Sequence, residues 1–567
     1  HLHFTFKIIF YNYNVQSLMI KILKENHNTI LIFIIPLILI LIGFTVYRDY
    51  GISLDEEITR ENGIVTIKYL YEFLFPQSTE NLKLIQNVPN LNEYWQKQYG
   101  TFFEVLVIAT IEILLKVKDF SEIFYYRHLM NHYLFIISII CFYFLCLNIF
   151  KNKLYAFFGA GILYTTPRIF AESFYNSKDL AFLSFFIFLI FFAIKFIKKP
   201  NYYNAFLLSI FASLATNLRI VAFYVVILVI LFFVIEFLMK NKFNQKKINI
   251  LFFLLLSKLF FLYLTWPFLW ENPINNFIFA LTSTQDPTRS WGGFVFYFGN
   301  FYKVYYLPWH YLIVYFFATT PLIISILIAC GLIQLSLRFF KRLISIDYKN
   351  SYNDIWRSEK EKIFVFLFFS ILIPIFLIFL TNTIIYNGWR HLFFLYPPLI
   401  LISIYFIDIV VIKFRNKKIS AYINTILVII LLSNIYNQMI LHPFQYIYFN
   451  SIFEKNANRL LEIDYWGLSN KYSLEKLVKN NIERSKITIG VASFTNLNLS
   501  KKMLNKKYKN KLIISGQDFT KADFIFSNNH YEINPNYDNK YRIPKNYRKY
   551  SQLKKGKILI NEFYVKE

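Results

Sequence analysis

Apolar residues run in long blocks through most of this chain, near residues 30–47, 101–117, 132–149, 154–167, 180–197, 203–216, 220–239, 248–266, 309–337, 363–381, 392–412 and 421–441. The blocks are roughly 14–28 residues long, the length scale of a helix that crosses a bilayer. The pattern predicts a mainly α-helical polytopic membrane protein with about 11–13 transmembrane helices. After residue 441 the pattern changes. Residues 487–492, 512–516, 523–527 and 557–565 read as short strands, and 471–484 and 497–508 as helices. That predicts a small C-terminal α/β domain of a size that supports one modest core.

Loop charges orient the blocks. Lys151 and Lys153, then Lys195, Lys198 and Lys199, then Lys240, Lys242, Lys246 and Lys247, then Arg338, Lys341 and Arg342, then Lys413, Arg415, Lys417 and Lys418 form five basic loops. The positive-inside rule places all five in the cytoplasm, with Lys21 and Lys24 at the N-terminus. The alternation closes with eleven spans if residues 48–131 stay outside and 101–117 is a re-entrant or interfacial helix. Twelve spans would put the C-terminal domain in the cytoplasm; eleven is preferred, because Glu104 and Glu112 weaken 101–117 as a lipid-facing span. The expected organisation is a cytoplasmic N-terminus over 1–29 (1–18 preceding Met19, a better start), a membrane domain over 30–441 with a catalytic outer loop at 48–100, and an extracytoplasmic α/β domain over 442–567. The expected location is the bacterial inner membrane. Seven of eight tryptophans, all but Trp356, fall on the predicted outer side, which suggests a built surface or cavity there.

Composition adds one exclusion. The net charge is +27, from 61 Lys+Arg against 34 Asp+Glu, but much of it lies in short loops where it sets orientation, so nucleic acid is not an expected partner. The three cysteines sit inside apolar runs, without a disulfide framework or a zinc pattern.

Carboxylates are scarce, so Ser53-Leu54-Asp55-Glu56-Glu57 at the mouth of the first span stands out. Ser53 with Glu56 matches a helix capping box. Asp55, Glu56 and Glu57 are also candidates for a general base, with Asp179 a second candidate. On a helix adjacent side chains diverge by about 100°, so the three cannot all face one atom. Basic residues that defy the orientation rule line the same face: Arg127, Arg168, Lys178, Arg219, Arg289, His310, Arg390 and His391. A single Arg at a helix end commonly snorkels. The set together points to an anionic substrate, and a lipid-linked phosphate has its charge at that depth. Lys258, mid-run, costs about 2.5–3.5 kcal/mol against lipid and must face protein or a wet cavity. A divalent ion is compatible with the acidic cluster, but no His/Asp spacing supports one.

These residues resemble a known family. The acidic motif after the first span, Arg127, and Asn176-Ser177-Lys178-Asp179-Leu180 opening a later span resemble the C-type polytopic glycosyltransferases, nearest to glycosyltransferase family 39, the protein O-mannosyltransferases and aminoarabinose transferases. Trp389-Arg390-His391, Leu395-Tyr396-Pro397, the segment His442–Asn450 and Asp464-Tyr465-Trp466-Gly467-Leu468-Ser469 resemble a bacterial branch of such proteins. The resemblance covers about residues 30–470.

The resemblance implies an inverting membrane glycosyltransferase that moves a sugar from a polyprenyl-phosphate donor to a hydroxyl of a glycan, lipid or protein acceptor at the outer face. It implies Asp55 as base, although the motif here reads Asp-Glu-Glu, which leaves Asp55 and Glu56 both open. Arg127, Lys178, Arg390 and His391 are the expected donor-phosphate ligands. Glu57, Arg168, Arg219, Arg289, Trp309 and His310 are candidates for an acceptor or sugar site. The alternative is a transporter or flippase of lipid-linked saccharides, which needs an alternating path; the two halves carry no clear repeat. A third reading is a non-catalytic assembly protein.

Overall fold

The computed structural model describes residues 27–76, 82–240, 245–283, 286, 291–344, 355–414, 417–528, 534, 536 and 539–567. Arg289, Lys242, Arg415 and residues 1–26 of the expected N-terminal segment therefore lie outside the described residues. The chain forms two compact units, His1–Tyr47 and Arg48–Glu567. In the first, α1 (His27–Val46) is a single apolar helix with Pro36 inside it.

The second unit holds α2 (Leu54–Leu74), α3 (Phe102–Ile108), α4 (Phe120–Phe150), α5 (Lys153–Thr165), α6 (Pro167–Tyr175), α7 (Asp179–Lys198), α8 (Tyr202–Leu218), α9 (Phe223–Lys240), α10 (Gln245–Thr265), α11 (Pro273–Thr282), α12 (Tyr311–Thr319), α13 (Leu322–Ile344), α14 (Glu359–Thr381), α15 (Tyr396–Phe414) and α16 (Lys417–Leu441). Among the described residues, eight helical segments are long and apolar enough to cross a membrane by length and composition. Eight of the twelve apolar runs supply them.

The other four runs do not supply a helix of that length and hydropathy among the described residues. α1 has 20 residues, of which Ile34–Val46 is the apolar stretch described with its side chains. The 101–117 run is α3 followed by a π-turn, Ala109–Leu114, about 20 Å of helix against a hydrocarbon core of about 30 Å. α5 and α8 have 13 and 17 residues. The 309–337 run breaks at Thr320-Pro321 into α12 and α13. The segment from Pro167, between two apolar runs, is the helix α6, with Pro167 at its first position, where its missing N–H is harmless.

α7 is the central helix, with 83% of its span buried. It is apolar on every side, as a helix enclosed by protein must be. It packs on α4, α8, α9 and a 3-10 turn at Arg390–Leu395. This enclosure fixes its first residue, Asp179, which the site below uses.

A hairpin of β1 (Phe294–Tyr297) and β2 (Asn300–Lys303) lies between α11 and α12. The C-terminal part folds as α17 (Asn470–Asn480), β3 (Ile487–Val491), α18 (Leu497–Lys502), α19 (Lys506–Lys509), β4 (Leu512–Gly516), β5 (Phe524–Ser527), β6 (Tyr547–Lys555) and β7 (Ile558–Lys566). The sheet order is β4-β3-β5-β7-β6, parallel at β4-β3-β5 and antiparallel beyond. Leu474, Leu477, Ile487, Ile489, Leu512, Phe524 and Phe526 form its core. The expected helix over 497–508 is two short ones, because Asn505 caps a new start by accepting from the Tyr508 N–H at 2.9 Å. β6 has no sequence-level expectation: its Lys- and Arg-rich residues carry no apolar alternation, and as an edge strand it is blunted by those charges.

Candidate active site

The site begins where α2 begins. Ser53 has extended backbone, and the Glu56 carboxylate accepts from the Ser53 N–H at 2.7 Å, so the capping box forms. The other Glu56 oxygen lies 2.9 Å from His128 Nε2 of α4, and both side chains are buried. With Glu56 turned inward, helical geometry turns its neighbours away. Asp55 keeps 43% of its side chain exposed and accepts from Arg390 Nη1 at 3.1 Å. Glu57 points elsewhere again and pairs with Lys502 of α18 at 3.1 Å.

Asp179 meets the same guanidinium. Its Oδ2 lies 3.1 Å from Arg390 Nη1, and its Oδ1 pairs with Arg219 Nη2. Asn176 holds it in place: its side-chain oxygen accepts from the Asp179 N–H at 2.9 Å, and its amide donates to Asp179 at 3.2 Å and to Glu172 at 2.9 Å. Arg219 is the residue after α8, in extended backbone. Arg390 opens its 3-10 turn just after Asn387 and Gly388, both at positive φ. That left-handed pair, which glycine tolerates without a Cβ clash, reverses the chain ahead of Trp389 and Arg390.

Three cations thus gather on two carboxylates. Lys178 Nζ sits 3.3 Å from the centre of the Tyr99 ring. Burial first, and the neighbouring Arg219 charge second, bring its ammonium down to about 7. The Nε donors of Arg219 and Arg390 are buried without a hydrogen-bond partner among the described residues. Aromatic rings surround the cluster. Tyr386 and Trp466 lie 5.1 and 5.0 Å from the Arg390 guanidinium carbon. His391 meets Tyr386 edge-on at 5.0 Å, and Trp291 lies 5.3 Å beyond Tyr386. An arrangement with positive charge in excess, unpartnered donors and one exposed carboxylate can hold an anion beside a base.

Of the residues expected from sequence, Asp55, Asp179, Lys178, Arg390, His391 and Arg219 come together. Arg127 does not join them: it is buried in its own 2.6 Å pair with Glu104 of α3, the carboxylate that sits in an otherwise apolar run. Arg168 is buried near Phe449, and Glu172 of the same helix is pushed up to about 7 by burial, with Arg168 opposing. His310 bonds Tyr297 of β1 at 2.6 Å, and Trp309 is 70% exposed. Lys258 is buried, its ammonium 3.6 Å from the Phe223 ring centre. Among the described residues no group of three or more His, Cys, Asp or Glu could hold a metal ion. Tyr99, Asn176, Tyr386 and Trp466 were not singled out as site residues. The signals for Trp466 were the one-sided distribution of tryptophan and its place in the segment Asp464–Ser469.

No family model matches the chain, and no curated protein matches it. Among solved structures, it is similar to the crystal structure of ArnT from Cupriavidus metallidurans bound to undecaprenyl phosphate, at 8% identity and TM-score 0.44, over 95% of this chain and 98% of that one.

Proposed function

We propose that this chain is a membrane glycosyltransferase of inverting type that takes a sugar from a polyprenyl-phosphate donor. The observation that carries the reading is the junction at Arg390, where an exposed carboxylate, Asp55, and a buried one, Asp179, share one guanidinium beside Arg219 and Lys178. Lys178, Arg219 and Arg390, with His391 at the edge, bind the donor phosphate. Asp179 holds both guanidiniums in place. Asp55 accepts the proton of the acceptor hydroxyl as its oxygen bonds to the anomeric carbon. The bond from that carbon to the phosphate oxygen breaks, and its electron pair leaves with the lipid phosphate, whose charge the cations meet. The rings of Tyr386 and Trp291 supply faces for a saccharide, and the buried Trp466 ring backs Arg390. The site opens at the outer face of the inner membrane, opposite the basic loops, and residues 442–567 lie on that side. In this reading Glu56 serves helix geometry and Arg127 a structural ion pair.

The test is mass analysis of glycolipids and surface glycans in a strain lacking this protein. Loss of one sugar from a defined glycan, restored by the wild-type chain and not by Asp55→Asn, is the expected result. An unchanged glycan profile would sink the proposal.

A further inference from the structure

At the other end of α7 lies a second feature. Asp179 and Lys195 stand about 24 Å apart along the helix at 1.5 Å per residue, so this end is remote from the Arg390 junction. A groove of ≈ 760 Å³ runs between α4 and α7 there. Ile137, Phe144 and Phe188 are among its apolar walls, with Ile137 and Phe144 exposed. Lys151 and Lys195 stand at its polar end. From Ile137 to Lys151 the groove follows α4 for about 21 Å, against about 15 Å for half a hydrocarbon core. It is therefore long enough to take an acyl chain through a whole leaflet.

The two lysines are available to a ligand. Lys198 nearby is engaged by Asn148, donating to its carbonyl at 3.0 Å and its side chain at 2.7 Å. Among the carboxylates of this end, Asp408 pairs with Lys360, Glu236 with Lys362 and Glu361 with Arg338, and Glu359 lies within electrostatic reach of Lys198. Neither Lys151 nor Lys195 has a carboxylate in ion-pair range among the described residues; Lys195 lies over the Phe191 ring at 4.4 Å. An apolar trough one leaflet deep, ending in two cations, matches a lipid with an anionic headgroup.

We propose that the α4–α7 groove binds an anionic phospholipid in the leaflet on the side of the basic loops, one acyl chain along Ile137, Phe144 and Phe188 and the phosphate at Lys151 and Lys195. This site is independent of the glycosyltransferase reading. Native mass spectrometry of the full chain, released from nanodiscs of mixed phosphatidylglycerol and phosphatidylcholine, tests it. The wild type retains phosphatidylglycerol selectively. Lys151→Gln with Lys195→Gln lowers that selectivity by about 25-fold, at about fivefold per lysine near a membrane surface. Lys151→Glu with Lys195→Glu abolishes it. Ile140→Trp, which fills the groove wall, loses the retained lipid of both kinds. Equal retention of the two lipids by the wild type, or selectivity unchanged in both double variants, overturns the proposal. So does inorganic phosphate that displaces nothing yet shifts the unfolding temperature as phosphatidylglycerol does, because the lysines then form a free-anion site.

Discussion

Arg390 holds Asp55 at 3.1 Å, and the two differ sharply in exposure, 4% for the guanidinium side chain and 43% for the carboxylate. A buried cation thereby fixes an accessible carboxylate. Asp55→Asn keeps the size and an acceptor oxygen but cannot take a proton. Transfer falls by about 10²–10⁴-fold, the range for loss of a general base, while donor-lipid binding stays nearly unchanged. Single-turnover transfer from a labelled donor, set beside a donor-binding titration, separates the two. Full activity in Asp55→Asn removes the residue from the mechanism.

Arg390 also satisfies Asp179, whose side chain is 1% exposed. Arg390→Ala leaves that carboxylate short of a partner and costs about 3–5 kcal/mol of stability, as for a broken buried pair. Arg390→Lys keeps the charge but loses the planar fork. It is expected to fold and to lose donor affinity. Thermal unfolding in detergent and donor titration of both variants check this pair of outcomes.

Lys178 gives a pH dependence with two opposite signs. Its folded value, about 7, lies below the ordinary 10.5 because of burial and Arg219. Between these values the unfolded chain binds the proton and the folded one does not, so its contribution to stability rises with pH across that window and is least favourable below 7. Donor binding runs the other way, because the phosphate needs the ammonium: affinity falls as pH rises above about 7. Lys178→Met flattens both trends. Calorimetric donor titrations across pH 6–9 that show no slope difference between wild type and Lys178→Met would refute this.

Glu57 and Lys502 pair at 3.1 Å with both side chains nearly half exposed. Such a pair is worth about 0–1 kcal/mol. Glu57→Gln is therefore expected to leave stability within about 1 kcal/mol and transfer within about twofold. A large loss of transfer, measured as for Asp55→Asn, would bring Glu57 into the site.

Gly51 touches the chain after the last span. A Cβ there would lie 2.2 Å from the Leu468 carbonyl oxygen, which is backbone and cannot rotate away. Gly51→Ala forces the segments before α2 and around Trp466 apart, with a stability cost of about 1–3 kcal/mol, typical of overpacking. Donor affinity drops with it. An unfolding temperature equal to that of the wild type counts against this contact.

Much of the architecture was readable because membrane helices are written in composition: among the described residues, eight of twelve apolar runs became helices long and apolar enough to span. Strands β3, β4, β5 and β7 fall within a residue or so of the expected bounds, since each is a short apolar run between polar breaks. The capping box at Ser53 and Glu56 was legible because both partners lie within one turn. The convergence on Arg390 was legible only as a list of residues sharing one predicted face. Asp55, Asp179, Arg219 and Arg390 come from four separate segments, and no local pattern encodes which of the outer cations they meet. Arg127 shows the cost: its partner Glu104 was visible as a charge inside an apolar run, but nothing in the sequence joined the two. Trp466 stood in a quoted motif, but its contact was hidden in the same way, since it lies beyond the last span and 76 residues from the arginine it covers.

That placement of Trp466 has a consequence for how the protein is made. Translation proceeds from the N-terminus at about 5–20 residues per second, so Trp466 emerges some 20–80 s after Asp55. For the last 76 residues of that interval, about 4–15 s, the carboxylates and arginines can already be in the bilayer, without the ring that covers Arg390 or the Leu468 carbonyl that packs on Gly51. Insertion of every span is then not the same event as maturation of the site. A chain that stops at residue 441 would be fully threaded and still lack the ring and the carbonyl that complete the Arg390 junction.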